Sequence, residues 1–360
     1  MTTLVTMLLA ALLVLVPGAA RACACGAFVS AEDAEVQVQR EVAAISWDGQ
    51  TERIVLSLSA LSNSGEAALL VPTPAPAQVA LAEEGLFEAL EEVIAPEVEV
   101  SYYWWPRSDE GDGSPTSGSD VAVLEQVDLG PVEASVLSAS DPDELARWLA
   151  EHEYVMDDAL AAAVAPYVSE GWYYVAVRMT ADQSLSGQLP PLDITFDSSS
   201  VVYPMRMSAA ATTPQHVRTY VFADQRMTRA DASAQSTTVN LRYADSPDPA
   251  AVTNGTLSEL LEAGPYLTVV DQSFYSPGAQ VVSDFVFERS SNGGDHREVV
   301  VEERLLLIAG LPAGPLALGA GLFVLVVGGS GLVWWRRRSA GPVPQRASTC
   351  PTETPAPVET

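Results

Sequence analysis

Residues 42–60 read Val-Ala-Ala-Ile-Ser-Trp-Asp-Gly-Gln-Thr-Glu-Arg-Ile-Val-Leu-Ser-Leu-Ser-Ala, and this stretch decides the fold class. In its second half, Ile54, Leu56 and Leu58 recur at every other position, which places them on one face of an extended strand. The apolar run before it predicts a second strand. Asp48-Gly49 lies between the two runs and is typical of a tight turn. The stretch therefore predicts an antiparallel β-hairpin.

Similar patterns continue on both sides of this hairpin. Alternating or continuous apolar runs predict further strands at residues 67–71, 98–105, 121–127, 132–137, 172–179, 192–196, 201–207, 217–222, 237–243, 266–270 and 281–287. Apolar stripes at helical spacing predict helices at residues 84–95, 141–151, 157–168 and 256–263. Asp141-Pro142-Asp143-Glu144 and the Thr-x-x-Glu box at Thr256 are helix-start signals. We therefore predict an α+β fold, predominantly β, with an antiparallel, sandwich-like body and a few short helices.

A faint internal similarity appears at an offset of 70 residues. Ala95-Pro96 and Ala165-Pro166 each close a predicted helix, and an aromatic pair opens the strand that follows. The body, residues 23–304, could thus contain two related αβ units, at about 23–139 and 140–304. Chance convergence of two helix–strand segments explains the same pattern.

Both ends of the chain carry targeting features. The apolar run Leu4–Val16 and the Ala20-Arg21-Ala22 site predict a signal peptide at residues 1–22. No charged residue lies between Arg304 and Arg336, so we predict a transmembrane helix at residues 312–335. Arg336-Arg337-Arg338 follows it and, by the positive-inside rule, places a disordered tail at residues 336–360 in the cytoplasm.

Composition excludes several classes of activity. The chain has 360 residues, a net charge of −29 and no lysine, since all 18 basic residues are arginines. Phosphate-binding Walker loops, Schiff-base enzymes and Ser–Lys dyads all need lysine. The acidity argues against nucleic-acid binding. The acidic residues are concentrated in residues 23–304, with 45 against 13 arginines. We expect no cofactor, no metal site and no catalytic residues.

Two groups of residues are candidate sites. Cys23 and Cys25 could form a strained disulfide, remain free thiols, bind a soft metal or pair with another chain. Tyr103 and Trp105, together with Trp172 and Tyr174, could form an aromatic platform for a glycan or peptide. Because strand side chains alternate between two faces, packing in the core is the other interpretation of these rings.

Several segments together resemble a bacterial family known as domain of unknown function 2330. These segments are Cys23–Val29, Leu69–Pro74, the helix that ends at Ala95-Pro96, Trp148-Leu149 with Tyr154, Ala165–Val168 and Val201–Arg206. The resemblance spans about residues 23–290. It implies an exported protein, in many members with a C-terminal membrane segment, and it implies no activity.

These observations predict a single-pass membrane protein whose β-rich domain lies outside the cytoplasm. We expect it to be a binding or envelope scaffold protein, not an enzyme, with an envelope protein or a glycan as ligand. There are two alternatives. The protein could be an extracytoplasmic hydrolase with an unrecognised site, or an accessory subunit of a membrane complex.

Overall fold

The predicted hairpin forms the centre of the structure. We analysed a computed structural model that describes residues 21–22, 26–30, 36–106, 133–139, 141–180, 185 and 187–339. Val36–Trp47 and Thr51–Ser62 pair antiparallel along their whole length. Asp48 closes the turn, because its Oδ1 accepts hydrogen bonds from the backbone of Gln50 and Thr51 at 2.9 and 2.8 Å.

The described residues form strands and helices that we number in chain order. The strands are β1 (Arg21–Ala22), β2 (Ala27–Val29), β3 (Val36–Trp47), β4 (Thr51–Ser62), β5 (Glu66–Thr73), β6 (Gln78–Leu81), β7 (Glu97–Tyr103), β8 (Glu133–Ser138), β9 (Tyr173–Thr180), β10 (Gly187–Gln188), β11 (Leu192–Asp197), β12 (Val201–Tyr203), β13 (Gln215–Ala223), β14 (Met227–Arg229), β15 (Val239–Asp245), β16 (Tyr266–Phe274), β17 (Phe285–Arg289), β18 (His296–Arg297), β19 (Val299–Leu305), β20 (Leu307–Ile308) and β21 (Leu311–Pro312). The α-helices are α1 (Leu86–Val93), α2 (Pro142–Glu151), α3 (Asp158–Ser169), α4 (Gly255–Ala263), α5 (Pro277–Gln280) and α6 (Ala313–Ser339), and 3-10 helices cover Arg206–Ala210, Ala232–Gln235 and Pro249–Ala251.

Most of these strands belong to three sheets. Within the described residues, the large sheet has nine strands in the order β18-β15-β16-β13-β3-β4-β11-β6, with β10 also paired to β4. The medium sheet has the order β1-β2-β5-β9-β8, and the small sheet has the order β12-β17-β14. The pairing is antiparallel except between β13 and β3, which run parallel. A predominantly antiparallel fold is therefore confirmed, with one parallel pair that local sequence patterns do not predict.

The sheets enclose a sandwich core, and helices cover their outer faces. Ile54 on the large sheet, Leu69 on the medium sheet and Phe285 on the small sheet belong to one buried cluster. On the other face of the large sheet, α1 and α4 bury Leu90 and Leu260. On the other face of the medium sheet, α2 and α3 bury a third cluster. The layers are therefore helix, sheet, sheet and helix.

Double-sided burial explains the continuous apolar runs. In β5, Leu69 and Val71 point into the sandwich core, whereas Ala68 and Leu70 pack against the helices. Successive strand side chains alternate in direction, so a strand covered on both faces needs apolar residues at every position.

Several predicted boundaries are corrected. Strand β12 ends at Tyr203 and a 3-10 helix follows, so the strand predicted at 201–207 is too long. Pro166 lies inside α3, which continues to Ser169, and so does not end that helix. Asn254, not Thr256, caps α4 through its side chain. The strand predicted at 281–287 begins at residue 285, and the one predicted at 121–127 lies outside the described residues.

The structure divides into two compact units, residues 1–97 with 116–300 and residues 98–115 with 301–360. The first unit holds the sandwich. Within it, strands from both predicted halves interleave, since β4 pairs with β11 and β5 pairs with β9. The proposed relation between residues 23–139 and 140–304 stays a prediction. The signal peptide also stays a prediction; of its residues, 21–22 are described, and they lie in β1.

The second unit contains β7 with β19, the hairpin β20–β21 and helix α6. Helix α6 is the one helix of the described residues that is long and apolar enough to span a membrane. The transmembrane helix predicted at 312–335 is thus present as a helix, and it continues to Ser339. Residues 336–339 are therefore helical where disorder was predicted, and residues 340–360 lie outside the described residues.

Candidate functional site

A groove runs beside helix α1 on the outer face of the large sheet. It consists of three adjoining depressions that share lining residues. The first and second share Phe87 and Gln188, and the second and third share Arg40. The second has an apolar floor of Val42 and Phe87 beside the polar side chains of Arg40 and Gln188. The third is open and has a volume of about 220 Å³.

The sequence positions this groove through the apolar stripe of α1. Leu86, Phe87 and Leu90 are buried against the large sheet, which turns the opposite face of the helix to solvent. Gly85 begins the helix with φ +78, a backbone conformation that glycine adopts without strain. The helix therefore lies flat on the sheet, and the groove is the space along its side.

Glu91 is the centre of a charged network on the groove wall. Its Oε1 accepts hydrogen bonds from Arg40 Nη2 at 3.1 Å, Arg218 Nη1 at 2.6 Å and Tyr220 Oη at 2.8 Å. Arg218 also donates to both carboxylate oxygens of Asp271, at 2.6 and 2.8 Å. We call these five residues the Glu91 network. It joins the helix to three strands of the sheet.

The protonation states of this network follow from burial and charge. Burial lowers the pKa of Arg218, but hydrogen bonds and charge from Asp271 and Glu91 outweigh it, so the pKa lies above its ordinary value. Burial and the Glu91 carboxylate raise the pKa of Tyr220. Tyr220 is therefore a neutral donor and Arg218 a cation at all ordinary pH values. Arg40 is the more exposed arginine, with 41% of its side chain accessible.

The third depression has a different edge. His216 is exposed there, and its Nδ1 lies 2.9 Å from Ser273 Oγ. The ring of Tyr275 meets the His216 ring edge to face at 6.0 Å. Together with Arg40 and Gln188, these side chains can donate and accept hydrogen bonds along an extended polar ligand, while the apolar floor packs against its carbon atoms.

A second polar cluster lies between α3 and the small sheet. Arg206 Nε is 2.7 Å from Asp284 Oδ2, and its two terminal nitrogens are each 2.6 Å from an oxygen of Glu170. The guanidinium also lies over the ring of Tyr167, at 4.2 Å from its centre, and over that of Trp172, at 5.7 Å. We call Tyr167, Glu170, Arg206 and Asp284 the Arg206 cluster.

The Arg206 cluster is closed. Asp284 Oδ1 accepts from Tyr167 Oη at 2.5 Å and from the backbone N–H groups of Met205 and Arg206 at 2.7 and 3.0 Å. Burial and the Asp284 charge raise the pKa of Tyr167 well above its ordinary value. Because carboxylates occupy both sides of the guanidinium and rings cover its faces, the cluster stabilises the fold.

The four residues of the predicted aromatic platform lie in different places. Tyr174 is fully buried, and its ring packs in the core beside α3, so it has the packing role and presents no face to a ligand. Trp172 is half-buried over Arg206. Tyr103 and Trp105 belong to the second unit, where Trp105 is 51% exposed. A ligand-binding role of the exposed rings stays a prediction.

The other predicted site lies outside the described residues, since Cys23 and Cys25 are not among them. Across the described ranges, no three His, Cys, Asp or Glu side chains come close enough together to hold a metal ion.

Sequence reasoning missed both polar clusters. Glu91 and Arg218 are 127 residues apart, and Tyr167 and Asp284 are 117 residues apart. One signal was available, because Tyr167 and Arg206 each lie in a segment that carries the family resemblance.

No curated protein matches the chain. Among solved structures, it is weakly similar to the crystal structure of baculovirus P35, with 13% sequence identity and a TM-score of 0.34. That match covers 73% of this chain and 96% of the baculovirus chain.

The family comparison is more extensive. A model of a bacterial family described as an uncharacterized protein conserved in bacteria, DUF2330, matches residues 19–288, three quarters of the chain. This range contains the helix-flanked sandwich except the end of β17 and strand β18, and it includes the Arg206 cluster and the groove. The chain therefore belongs to the DUF2330 family.

Proposed function

We propose that the protein is anchored in the cell membrane by α6 and binds a ligand outside the cytoplasm without chemical turnover. The support for the anchor is an apolar helix of 27 residues that ends in Arg336, Arg337 and Arg338. Arginines flanking a spanning segment favour the cytoplasmic side, so the sandwich is assigned to the outer side.

The observation that carries the binding role is the groove beside α1. It combines an apolar floor at Val42 and Phe87 with polar side chains along its length. The ligand class that fits is an extended polar chain of the cell envelope, a glycan or a protein segment. The Glu91 network keeps the groove wall rigid, since it ties α1 to the sheet, and a rigid wall loses little entropy on binding.

The charge of the protein restricts the class of ligand further. The outer part carries 45 acidic residues against 13 arginines, so it repels strongly anionic chains. Arg40 is the cation that the groove exposes. The proposed ligand is therefore neutral overall or carries an isolated anionic group that faces Arg40.

Photocrosslinking in intact cells tests this proposal. A benzophenone amino acid replaces Gln188 on the groove floor of the full-length protein, and the same group at exposed Ser200 is the matched control. We expect a crosslinked partner from position 188, and a several-fold lower yield when Arg40→Glu is added.

Two outcomes contradict the proposal. Equal products from positions 188 and 200 exclude the groove as the binding site. Turnover in an esterase, peptidase and glycosidase screen of the purified protein, abolished by one Ser, Asp or His substitution, makes the protein an enzyme instead.

A further inference from the structure

The second unit exposes an apolar surface at the start of α6. We propose that Trp104, Trp105 and the hairpin β20–β21 form a wedge that inserts into the lipid interface where α6 enters the bilayer. The proposal rests on the membrane anchor of the proposed function and adds a second lipid-binding element to it. We call these residues the interface wedge.

The hairpin has an unusual tip for a water-exposed turn. Its sequence from Leu307 to Pro312 is Leu-Ile-Ala-Gly-Leu-Pro, without a charged or hydrogen-bonding side chain. Leu307, Ile308 and Leu311 are 54%, 48% and 55% exposed. An isolated exposed apolar side chain is common, but a hairpin that exposes apolar side chains on both strands marks an interaction surface.

The turn residues point the same way. Ala309 and Gly310 have φ values of +54 and +80. A two-residue turn of this kind favours asparagine or aspartate followed by glycine, because other side chains tolerate a positive φ poorly. The chain has alanine at the first position, so an apolar residue stands where a polar residue would form the turn more favourably. That choice is expected where the tip contacts lipid.

The two tryptophans are fixed to the beginning of the helix. The first turn of a helix has N–H groups without partners inside the helix. Here the N–H of Gly314 donates to Trp104 O at 2.8 Å and the N–H of Ala313 donates to Leu306 O at 2.8 Å. A Cβ on Gly314 would lie 2.7 Å from the Trp105 ring and 2.6 Å from Trp104 O. The absence of a side chain at Gly314 thus permits the tryptophan pair to pack there.

Helix length places this contact at a membrane boundary. At 1.5 Å per residue, the distance from Ala313 to Trp335 is about 33 Å, close to the roughly 30 Å of a hydrocarbon core. Trp334 and Trp335 therefore lie at one boundary and the Trp104-Trp105 pair at the other. Tryptophan is enriched at both boundaries of membrane proteins.

Charge distribution favours lipid over a protein partner as the occupant. Glu302, Glu303 and Arg304 end the charged part of the chain, and the next charged residue is Arg336. The hairpin of the wedge thus begins where these charges end and is continuous with the spanning helix. A two-stranded ladder presents the outer backbone groups of both strands to its surroundings. The hydrated interface can satisfy such groups and the bilayer centre cannot, so the wedge stays shallow.

Tryptophan quenching in vesicles tests the proposal. The full-length protein is placed in phosphatidylcholine vesicles whose lipids carry bromine near the headgroup end of the chains or near the bilayer centre. Wild type is compared with Trp104→Phe/Trp105→Phe and with the matched pair Trp334→Phe/Trp335→Phe. We expect the fluorescence lost with Trp104 and Trp105 to be quenched at least about two-fold more by the shallow bromine than by the deep one.

A glycine pair provides an independent variant. Gly314→Val forces the tryptophan pair off the helix, and Gly319→Val adds the same side chain where no atom lies within 4 Å. We expect the shallow quenching of Trp104 and Trp105 to fall in the first variant and to stay unchanged in the second.

Flotation of the same vesicles at high pH separates the two proposals. Protein that floats while Trp104 and Trp105 remain unquenched retains the anchor and overturns the wedge. Protein that does not float overturns both. If Ile308 carrying a benzophenone crosslinks to another protein while lipid does not quench the tryptophans, the surface is a protein interface and the wedge is wrong.

Discussion

The Arg206 cluster and the Glu91 network have the same parts in different surroundings. Each has an arginine between two carboxylates, and in each a tyrosine hydroxyl donates to one of them. Asp284 also accepts two backbone N–H groups and is nearly buried, whereas Glu91 lies on a groove wall beside the exposed Arg40. In the first arrangement both carboxylates hold the one arginine, whereas in the second a further, more exposed arginine lies beside Glu91.

Segments that carry the family resemblance contribute to both regions. Tyr167 and Arg206 lie in segments that carry the family resemblance, and their contact joins those segments. Ala27 and Leu70 join two others, since β2 pairs with β5. The recognisable segments therefore include contacts that hold the fold together, and the helix that ends at Ala95-Pro96 also places Phe87 and Glu91 at the groove.

Loss of Asp284 is the largest expected effect. Asp284→Ala takes from the largely buried Arg206 one of its two carboxylate partners and removes the acceptor of Tyr167 Oη and of two backbone N–H groups. Breaking a buried pair costs about 3 kcal/mol of unfolding free energy. Urea denaturation followed by circular dichroism measures it. Asp224→Ala, which breaks an exposed pair with Arg289, is the control and should cost about 0.5 kcal/mol or less. Equal losses of unfolding free energy in the two variants would show that the Arg206 cluster does not stabilise the fold.

An added methyl group at Gly26 should have the next largest effect. Its Cβ would lie 2.2 Å from the backbone oxygen of Leu70, which a backbone pairing holds in place. Overpacking of this kind costs about 2 kcal/mol. The same denaturation experiment compares Gly26→Ala with Gly293→Ala, where a Cβ meets no atom within 4 Å. If Gly26→Ala is as stable as wild type, the N-terminal segment does not pack against β5 as described.

Substitution of Glu52 should change the free energy of unfolding least, and it should raise that free energy instead of lowering it. It is fully buried and accepts hydrogen bonds from the backbone N–H of Val202, and no arginine of the described chain forms an ion pair with it. Burial raises the pKa of Glu52 well above its ordinary value of 4.5. As the pH rises from 4.5 towards that raised pKa, the unfolded chain releases the proton first, so stability falls.

Glu52→Gln should therefore be more stable than wild type at neutral pH and close to it at pH 4.5. Denaturation midpoints measured across this range give the difference. Glu262→Gln, at an exposed position of α4, should show no such trend. A Glu52→Gln protein that is less stable at neutral pH would mean that Glu52 is ionised and compensated like Asp284.

Local patterns predicted most of the strands and the helix cap at Asp141. They failed where tertiary contacts override them. After Tyr203 the chain turns into a 3-10 helix because the N–H groups of Met205 and Arg206 bond to Asp284, far along the sequence. Pro166 is accommodated within α3, and nothing in the local pattern distinguishes it from Pro96, where no helix continues.

The sequence by itself determined that the body is β-rich, that the acidic residues are concentrated in residues 23–304 and that the chain carries an apolar helix near its end. These properties follow from the order and spacing of side chains along a few turns or strands. The tertiary structure decided which strands are neighbours, that Glu91 meets Arg218, and that the apolar residues before α6 fold into a hairpin rather than extend the helix. Such features depend on contacts between residues distant in the chain, or on backbone geometry, and no local period encodes them.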